Sequence, residues 1–243
     1  MNVKPYIIAE FGVNHEGDPA KCFKAIEAVK ASGANAIKFQ HYIPQELFPD
    51  KPERKKWELP KHTWEMIAKM CDKGKLDWGI SLFCSTWNMA PWFLDLGIKF
   101  LKVASREINV WPKITKKVKC PWWIISTGYL DNVQLWPVST ETRMLDADIN
   151  FTMLACKSDY PCKTPPLLRI RPGMIDGYSC HTEGDWAMKA SVSLGASTLE
   201  KHFTLSHDDY QISGFRDHVH AWDPKELNEF MGWLDEYTNS VGS

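Results

Sequence analysis

MIDGYSCHTEGDWAMKASVSLGASTLEKHFT, residues 174–204, is the stretch on which the fold turns. Its two ends, 174–180 and 197–204, are short runs rich in apolar, aromatic and β-branched side chains, the composition of buried strands. Between them 185–194 has helical spacing, and a strand, a helix and a second strand in that order form a unit whose strands run parallel. Parallel strands are covered on both faces, so one such unit implies others. Working outward, runs of the same kind recur at 6–13, 36–40, 79–86, 100–105, 122–128 and 150–156. Eight such strands close on themselves without leaving an edge, and the predicted fold is an α/β (β/α)8 TIM barrel.

The segments between the runs support this. Residues 19–32 place Ala20, Phe23, Ala25, Ile26 and Val29 largely on one face, and 61–73 do the same with Trp64, Ile67, Ala68 and Cys71. A last helix over 224–237 opens with Asp223 as its cap and Pro224 in its first turn. The sixth connection differs: prolines at 161, 165, 166 and 172 forbid a full helix, so a shortened or missing sixth helix is expected.

With 243 residues and 44% hydrophobic content the chain suits one barrel, and a single catalytic domain over 1–243 is expected. Its 29 basic and 30 acidic residues are interspersed, which excludes an electrostatic footprint for nucleic acid or an anionic membrane and leaves small molecules as partners. The amino terminus reads as neither signal peptide nor membrane span. Seven cysteines without CxxC spacing fit reduced thiols, and the expected location is cytoplasmic.

Polar residues collect at the carboxyl ends of the predicted strands: Glu10, Lys38 and Gln40, Ser85 and Thr86, Lys102, Ser105 and Glu107, Ser126, Ser158 and Tyr160, Ser179 and His181, Glu200 and His202. A barrel brings all strand ends to one rim, where active sites sit. Lys38 and Gln40, Ser179 and His181, and Glu200 and His202 are each two apart and so share a side of their strand. Two histidines on neighbouring strands, with glutamates nearby, suit a divalent metal that keeps open positions. Inward lysines Lys38 and Lys102 need anions, and Thr86, Ser105, Ser126 and Ser179 add neutral donors suited to a phosphorylated ligand. A Schiff-base lysine is the competing use of Lys38 or Lys102. The pair His218 and His220 could also bind metal, although a polar loop favours solvated histidines.

In order along the chain, IAEFGVNHEG (8–17), AIKFQ (36–40), ST (85–86), LKVASREI (101–108), ISTG (125–128), CKSDYP (156–161), GYSCHT (177–182) and LEKHFT (199–204) resemble the synthases of sialic acid and related nonulosonic acids. The resemblance implies metal-dependent condensation of phosphoenolpyruvate with an N-acyl-mannosamine-like aldehyde sugar, giving a 2-keto-3-deoxy acid and phosphate. It implies Glu10, Glu200, Lys38 and Lys102 as catalytic residues, and His181 and His202 as ligands of Mn2+, or of Mg2+ in its place. Phosphoenolpyruvate would meet Lys38, Thr86, Lys102, Ser105, Ser126 and Ser179; the sugar would meet Gln40, Glu107, Ser158, Tyr160 and Asp217. It also implies a homodimer. The family's antifreeze-like carboxy-terminal domain, which carries an arginine to a neighbouring site, is not matched. The expected consequence is either a different aldehyde or a gap filled from the loop 205–222 through Arg216, His218 or His220. The alternatives are another metal-dependent barrel lyase or isomerase, or a non-catalytic sugar-binding barrel.

Overall fold

The computed structural model describes residues 4–129 and 149–241. Eight parallel strands close in chain order: β1 (Tyr6–Gly12), β2 (Ala36–His41), β3 (Asp77–Leu82), β4 (Phe100–Val103), β5 (Trp123–Ser126), β6 (Phe151–Ala155), β7 (Gly177–Cys180) and β8 (Thr198–His202). Pairing of β1 with β8, in the register Glu10 opposite His202, shuts the barrel and bears out the predicted fold.

The helices begin where local chemistry starts them. Asp18 accepts a hydrogen bond from the Ala20 amide at 2.8 Å ahead of the helix Pro19–Ser32, which Gly33 ends in a left-handed conformation. Asp223 and Glu226 exchange side-chain bonds with each other's amides, both at 2.9 Å, at the start of the helix Pro224–Val241. That helix buries Leu227, Phe230, Met231 and Leu234, one face at helical spacing. In the sixth connection only the 3-10 turn Leu167–Arg169 forms, because the prolines remove both donors and helical freedom. No helix among the described residues is long and apolar enough to cross a membrane.

Alternation along each strand sorts the side chains into an inner and an outer set. Outward residues such as Ile7, Ile37, Ile80, Leu101, Ile125, Met153, Tyr178 and Leu199 join the layer packed under the helices. Inward residues form two strata. At the amino-terminal end Ile8, Ala36, Phe100, Ile124 and Leu154 make a small dry plug. One step further along, at the carboxyl end, the inward positions turn polar on nearly every strand, so the plug is the floor of a cavity.

The third run departs from its predicted bounds. β3 stops at Leu82, and Cys84–Met89 winds into a 3-10 helix that starts with Cys84 at φ +53°. The residue of β3 that reaches the cavity is therefore Ser81 rather than Ser85 or Thr86.

Gly177 and Gly232 should respond to alanine in opposite directions. A Cβ on Gly177 would lie 1.8 Å from the Thr198 carbonyl oxygen on the adjoining strand, whereas one on Gly232, in the last helix, meets nothing within 4 Å. Gly177→Ala is expected to destabilise by at least about 1–3 kcal/mol, and Gly232→Ala to stabilise by about 0.5–1 kcal/mol. Equilibrium denaturation of the two variants checks both signs.

Candidate active site

Four charges lie at the centre of the rim, each less than 5% exposed: Glu10 of β1, Lys38 of β2, Lys102 of β4 and Glu200 of β8. Lys38 Nζ donates to Glu10 Oε1 at 2.5 Å and lies 3.6 Å from Glu200 Oε2; Lys102 Nζ donates to Glu200 Oε1 at 2.9 Å. Neighbouring polar groups complete the set. Gln40 Nε2 donates to Glu10 Oε1 at 2.7 Å, Ser179 Oγ to Glu200 Oε1 at 2.8 Å, and Lys38 also donates to Ser81 Oγ at 3.0 Å.

Burial pushes both carboxyls up, but the ammonium charges of Lys38 and Lys102 outweigh it and hold Glu10 and Glu200 below the ordinary carboxylate range. Burial likewise disfavours the Lys102 ammonium, and the two carboxylates overcome it, so its pKa is raised. A charged Lys102 is not a nucleophilic amine, which speaks against the Schiff-base use at that position. Lys201, whose ammonium burial pushes down, points out of the barrel toward the Thr182 carbonyl and the Trp222 ring.

A cavity of about 530 Å³ opens above these charges and brings together most of the predicted residues. Glu10, Lys38, Gln40, Lys102, Ser105, Ser126, Ser158, Tyr160, Ser179, His181, Glu200, His202 and Asp217 all line it. Among the described residues Ser126 Oγ is buried with no hydrogen-bond partner, and Ser105 Oγ accepts from the Gly128 amide at 2.9 Å and bonds the Cys156 sulfur. Two predicted residues do not reach it. Thr86 Oγ1 donates to the Phe83 carbonyl at 2.7 Å and accepts from the Phe83 amide at 3.0 Å, so its hydroxyl is consumed in the turn after β3. Glu107 accepts from Trp87 Nε1 at 3.1 Å on the far side of the turn after β4.

One corner of the cavity is made of imidazoles. Tyr160 stacks on His181 with ring centroids 4.1 Å apart, His181 and His202 centroids are 5.3 Å apart, and His220 lies 4.7 Å from His202. His181 Nδ1 is 2.8 Å from the Lys157 carbonyl oxygen, an acceptor only, so Nδ1 carries a proton; burial pushes the ring's pKa down, but the Cys156 thiolate more than reverses this, to about 9, so Nε2 takes a ligand by giving up its own proton. Among the described residues, His202 Nδ1 and both nitrogens of His220 are buried without hydrogen-bond partners. Asp217 keeps 16% side-chain exposure, yet burial, and then the charge of Glu10, pushes its carboxyl up to about 7. Unbonded buried nitrogens converging on a carboxylate are a donor set that fits a divalent cation.

The sequence pairing of His218 with His220 is split by the fold. His218 Nδ1 is 2.8 Å from Thr204 Oγ1 and its Nε2 is 3.2 Å from Glu16 Oε1, so both nitrogens are engaged away from the cavity.

Ser81, Cys156 and Arg54 are among the lining residues that had no place in the sequence prediction. Ser81 was detectable as the lone hydroxyl within the apolar stretch 79–83. Cys156 follows β6 at inward parity, where burial pushes its thiol up and the nearby His181 and Lys102 more than reverse this. Arg54 comes from the 3-10 helix Pro52–Trp57, with its guanidinium 4.7, 4.6 and 5.2 Å from the ring centroids of Phe48, Trp57 and Phe215. No local pattern marks it, because the aromatic cradle is assembled from segments far apart in the chain.

Removing one charge of the four should cost more than removing a pair. Glu200→Gln leaves two buried ammonium groups to share Glu10, and a loss of about 3–5 kcal/mol in unfolding free energy is expected, part of which Glu200→Gln with Lys102→Met recovers. The pH dependence has a definite sign. Glu10 and Glu200 have folded values below 4.5, so their contribution is complete above pH 4.5 and is lost as pH falls through those lower values. Lys102, raised above 10.5, contributes fully below pH 10.5 and loses its share as pH rises through its folded value. Thermal melts across pH should fall off on both sides, less steeply in the double variant.

Comparison with known proteins agrees with this geometry. A family model described as the NeuB family matches residues 25–243. N,N'-diacetyllegionaminic acid synthase of Campylobacter jejuni subsp. jejuni is 30% identical over 98% of this chain and 78% of its own length. N-acetylneuraminate-9-phosphate synthase of Homo sapiens is 30% identical over 98% of this chain and 71% of its own. Among solved structures, the N-acetylneuraminic acid (sialic acid) synthetase of Leptospira borgpetersenii serovar Hardjo-bovis, determined with citrate, superposes with a TM-score of 0.85 at 25% identity, covering 100% of this chain and 86% of that one. With a family match over most of its length, relatives at 30% identity and the same closed barrel, this chain belongs to the NeuB family.

Proposed function

We propose that this enzyme, a phosphoenolpyruvate-dependent synthase like its relatives, condenses phosphoenolpyruvate with an N-acyl-mannosamine-like aldehyde sugar to give a 2-keto-3-deoxy acid and phosphate. The observation that carries the reading is two buried lysines and the Ser126 hydroxyl, unpartnered among the described residues, on the cavity floor beside a corner of buried imidazoles. The relatives named as synthases of sialic, legionaminic and pseudaminic acids support it.

Each residue then has a task set by its charge. Lys102, whose ammonium spends one hydrogen bond on Glu200, offers its remaining donors to a phosphate or carboxylate, and Ser126 adds its hydroxyl. Lys38, held by Glu10 and Ser81, contributes charge to the same floor. When C3 of phosphoenolpyruvate bonds to the aldehyde carbon, the carbonyl electron pair moves to oxygen and positive charge grows at C2. Glu10 and Glu200, ionised and fixed, lie where they can offset that charge. The new alkoxide takes a proton from water that enters the open cavity, while the Asp217 carboxylate, 3.8 Å from His202 Nδ1, faces the imidazole corner. Water adds at C2, and the C2–O bond to phosphate breaks to leave the ketone. A divalent cation, Mn2+ or Mg2+, held by His181 and His202 would supply polarisation of the aldehyde oxygen. Gln40, Ser158 and Tyr160 at the rim are the contacts proposed for the sugar; Thr86 and Glu107, engaged elsewhere, are not.

Phosphate release measured with phosphoenolpyruvate, Mn2+ and a panel of aldehyde sugars tests the reaction, with N-acylated mannosamines expected as the best acceptors. Lys102→Ala should raise the Kd of phosphoenolpyruvate by about tenfold or more with little change for the sugar, as loss of a charge-assisted contact requires. Absence of phosphate release with every aldehyde would sink the synthase reading in favour of a lyase, isomerase or binding protein. Pyruvate trapped on Lys38 or Lys102 by borohydride would establish imine chemistry instead.

A further inference from the structure

We propose that His220 is itself a ligand of the cation site, so that the donor set is rich in nitrogen and selects a transition-metal ion over magnesium. This deepens the proposal above and rests on its placing a divalent cation beside His202. His220 is 1% exposed, and among the described residues neither of its ring nitrogens has a hydrogen-bond partner; His202 Nδ1, facing the same corner, has none either. The Arg216 carbonyl is near enough to favour charge on the His220 ring but makes no hydrogen bond of ordinary geometry with it. Donor atoms of His202, Asp217 and His220 all lie within 4.8 Å of one another. Burying an imidazole with both nitrogens unpaired costs stability, and a metal ion is the partner that takes a lone pair from each of several rings at once.

The backbone holds His220 there. Trp222 donates its amide to the His202 carbonyl at 2.8 Å, and its own carbonyl accepts from the Thr204 amide at 2.8 Å, so the returning chain pairs with the end of β8. His220 precedes this bridge by two residues and is thereby carried to within 4.7 Å of the His202 ring, 5.6 Å of His181 and 5.3 Å of Tyr160, measured between centroids. His218, two residues further back, is spent on Thr204 and Glu16, which singles out His220 from the pair. Imidazole nitrogen suits zinc, iron, nickel and copper, and affinity rises from manganese through iron to cobalt, whereas magnesium prefers a shell of oxygens and water.

The test uses the full chain stripped of metal with a chelator and titrated separately with Co2+, Mn2+ and Mg2+. Co2+ is expected to bind with a ligand-field absorption band and at least about tenfold more tightly than Mg2+, and His220→Ala to weaken Co2+ at least about tenfold while leaving Mg2+ little changed. Electron spin-echo spectroscopy of the Mn2+-loaded wild-type protein should count three coordinated imidazole nitrogens. That measurement decides the matter even if His220→Ala and the larger replacement His220→Gln both fail to fold. A count of two nitrogens, with Co2+ affinity unchanged in His220→Ala and lost in His202→Ala, would overturn the role of His220 and leave the proposed reaction intact. No binding of any of the three ions by the wild-type chain would overturn both.

Discussion

Two ammonium groups and two carboxylates, buried together at one end of the barrel, are the interaction on which the rest of the structure depends. Taken singly, each of Glu10, Lys38, Lys102 and Glu200 would be ruinous to bury; together they carry no net charge, and serine and glutamine donors close the remaining valences. The four come from β1, β2, β4 and β8, so they meet only when the sheet has closed in its observed register. A slip of one residue on any of these strands would turn its charge into the apolar layer beneath the helices. The constellation that prepares the site for chemistry also penalises every other way of closing the barrel.

This arrangement divides the barrel interior by depth. Below the charges, Ile8, Ala36, Phe100, Ile124 and Leu154 exclude water and lower the effective dielectric, which strengthens the ion pairs above. Above them the interior opens into the cavity, whose walls come from the loops that follow the strands. An anion that arrives there meets charges already in place, and little reorganisation is needed. Arg54 extends the same logic to the rim: three aromatic faces hold its guanidinium in position, so the 3-10 helix Pro52–Trp57 presents a stiff cation.

Much of this was legible in the primary structure because strand parity is a local property. Residues two apart share a side, and that rule alone assigned Lys38 with Gln40, Ser179 with His181, and Glu200 with His202, all of which line the cavity. The rule failed where a strand end was misplaced. The run containing Ser85 and Thr86 looked like the end of β3, but the chain turns after Leu82, and Ser81 inherits the position. Glu107 failed for a different reason: Trp87, an indole donor from another segment, claimed its carboxylate, and no spacing within either segment announces that contact.

By itself, the amino-acid sequence determined the number and order of the strands, the weak sixth connection and the inward set of ionisable side chains, since these follow from alternation, proline and helix capping within short windows. Only the tertiary structure decided which of those side chains pair, and which remain open to a ligand. His218 and His220 show the difference most plainly. Two identical residues, separated by Val219, are indistinguishable in the primary structure, yet one is consumed by Thr204 and Glu16 while the other is delivered to His202 by the backbone bridge at Trp222. The physical reason is that hydrogen bonding and burial depend on partners brought together by closure of the barrel, across 14 residues for Thr204 and 202 for Glu16, and no local pattern encodes them.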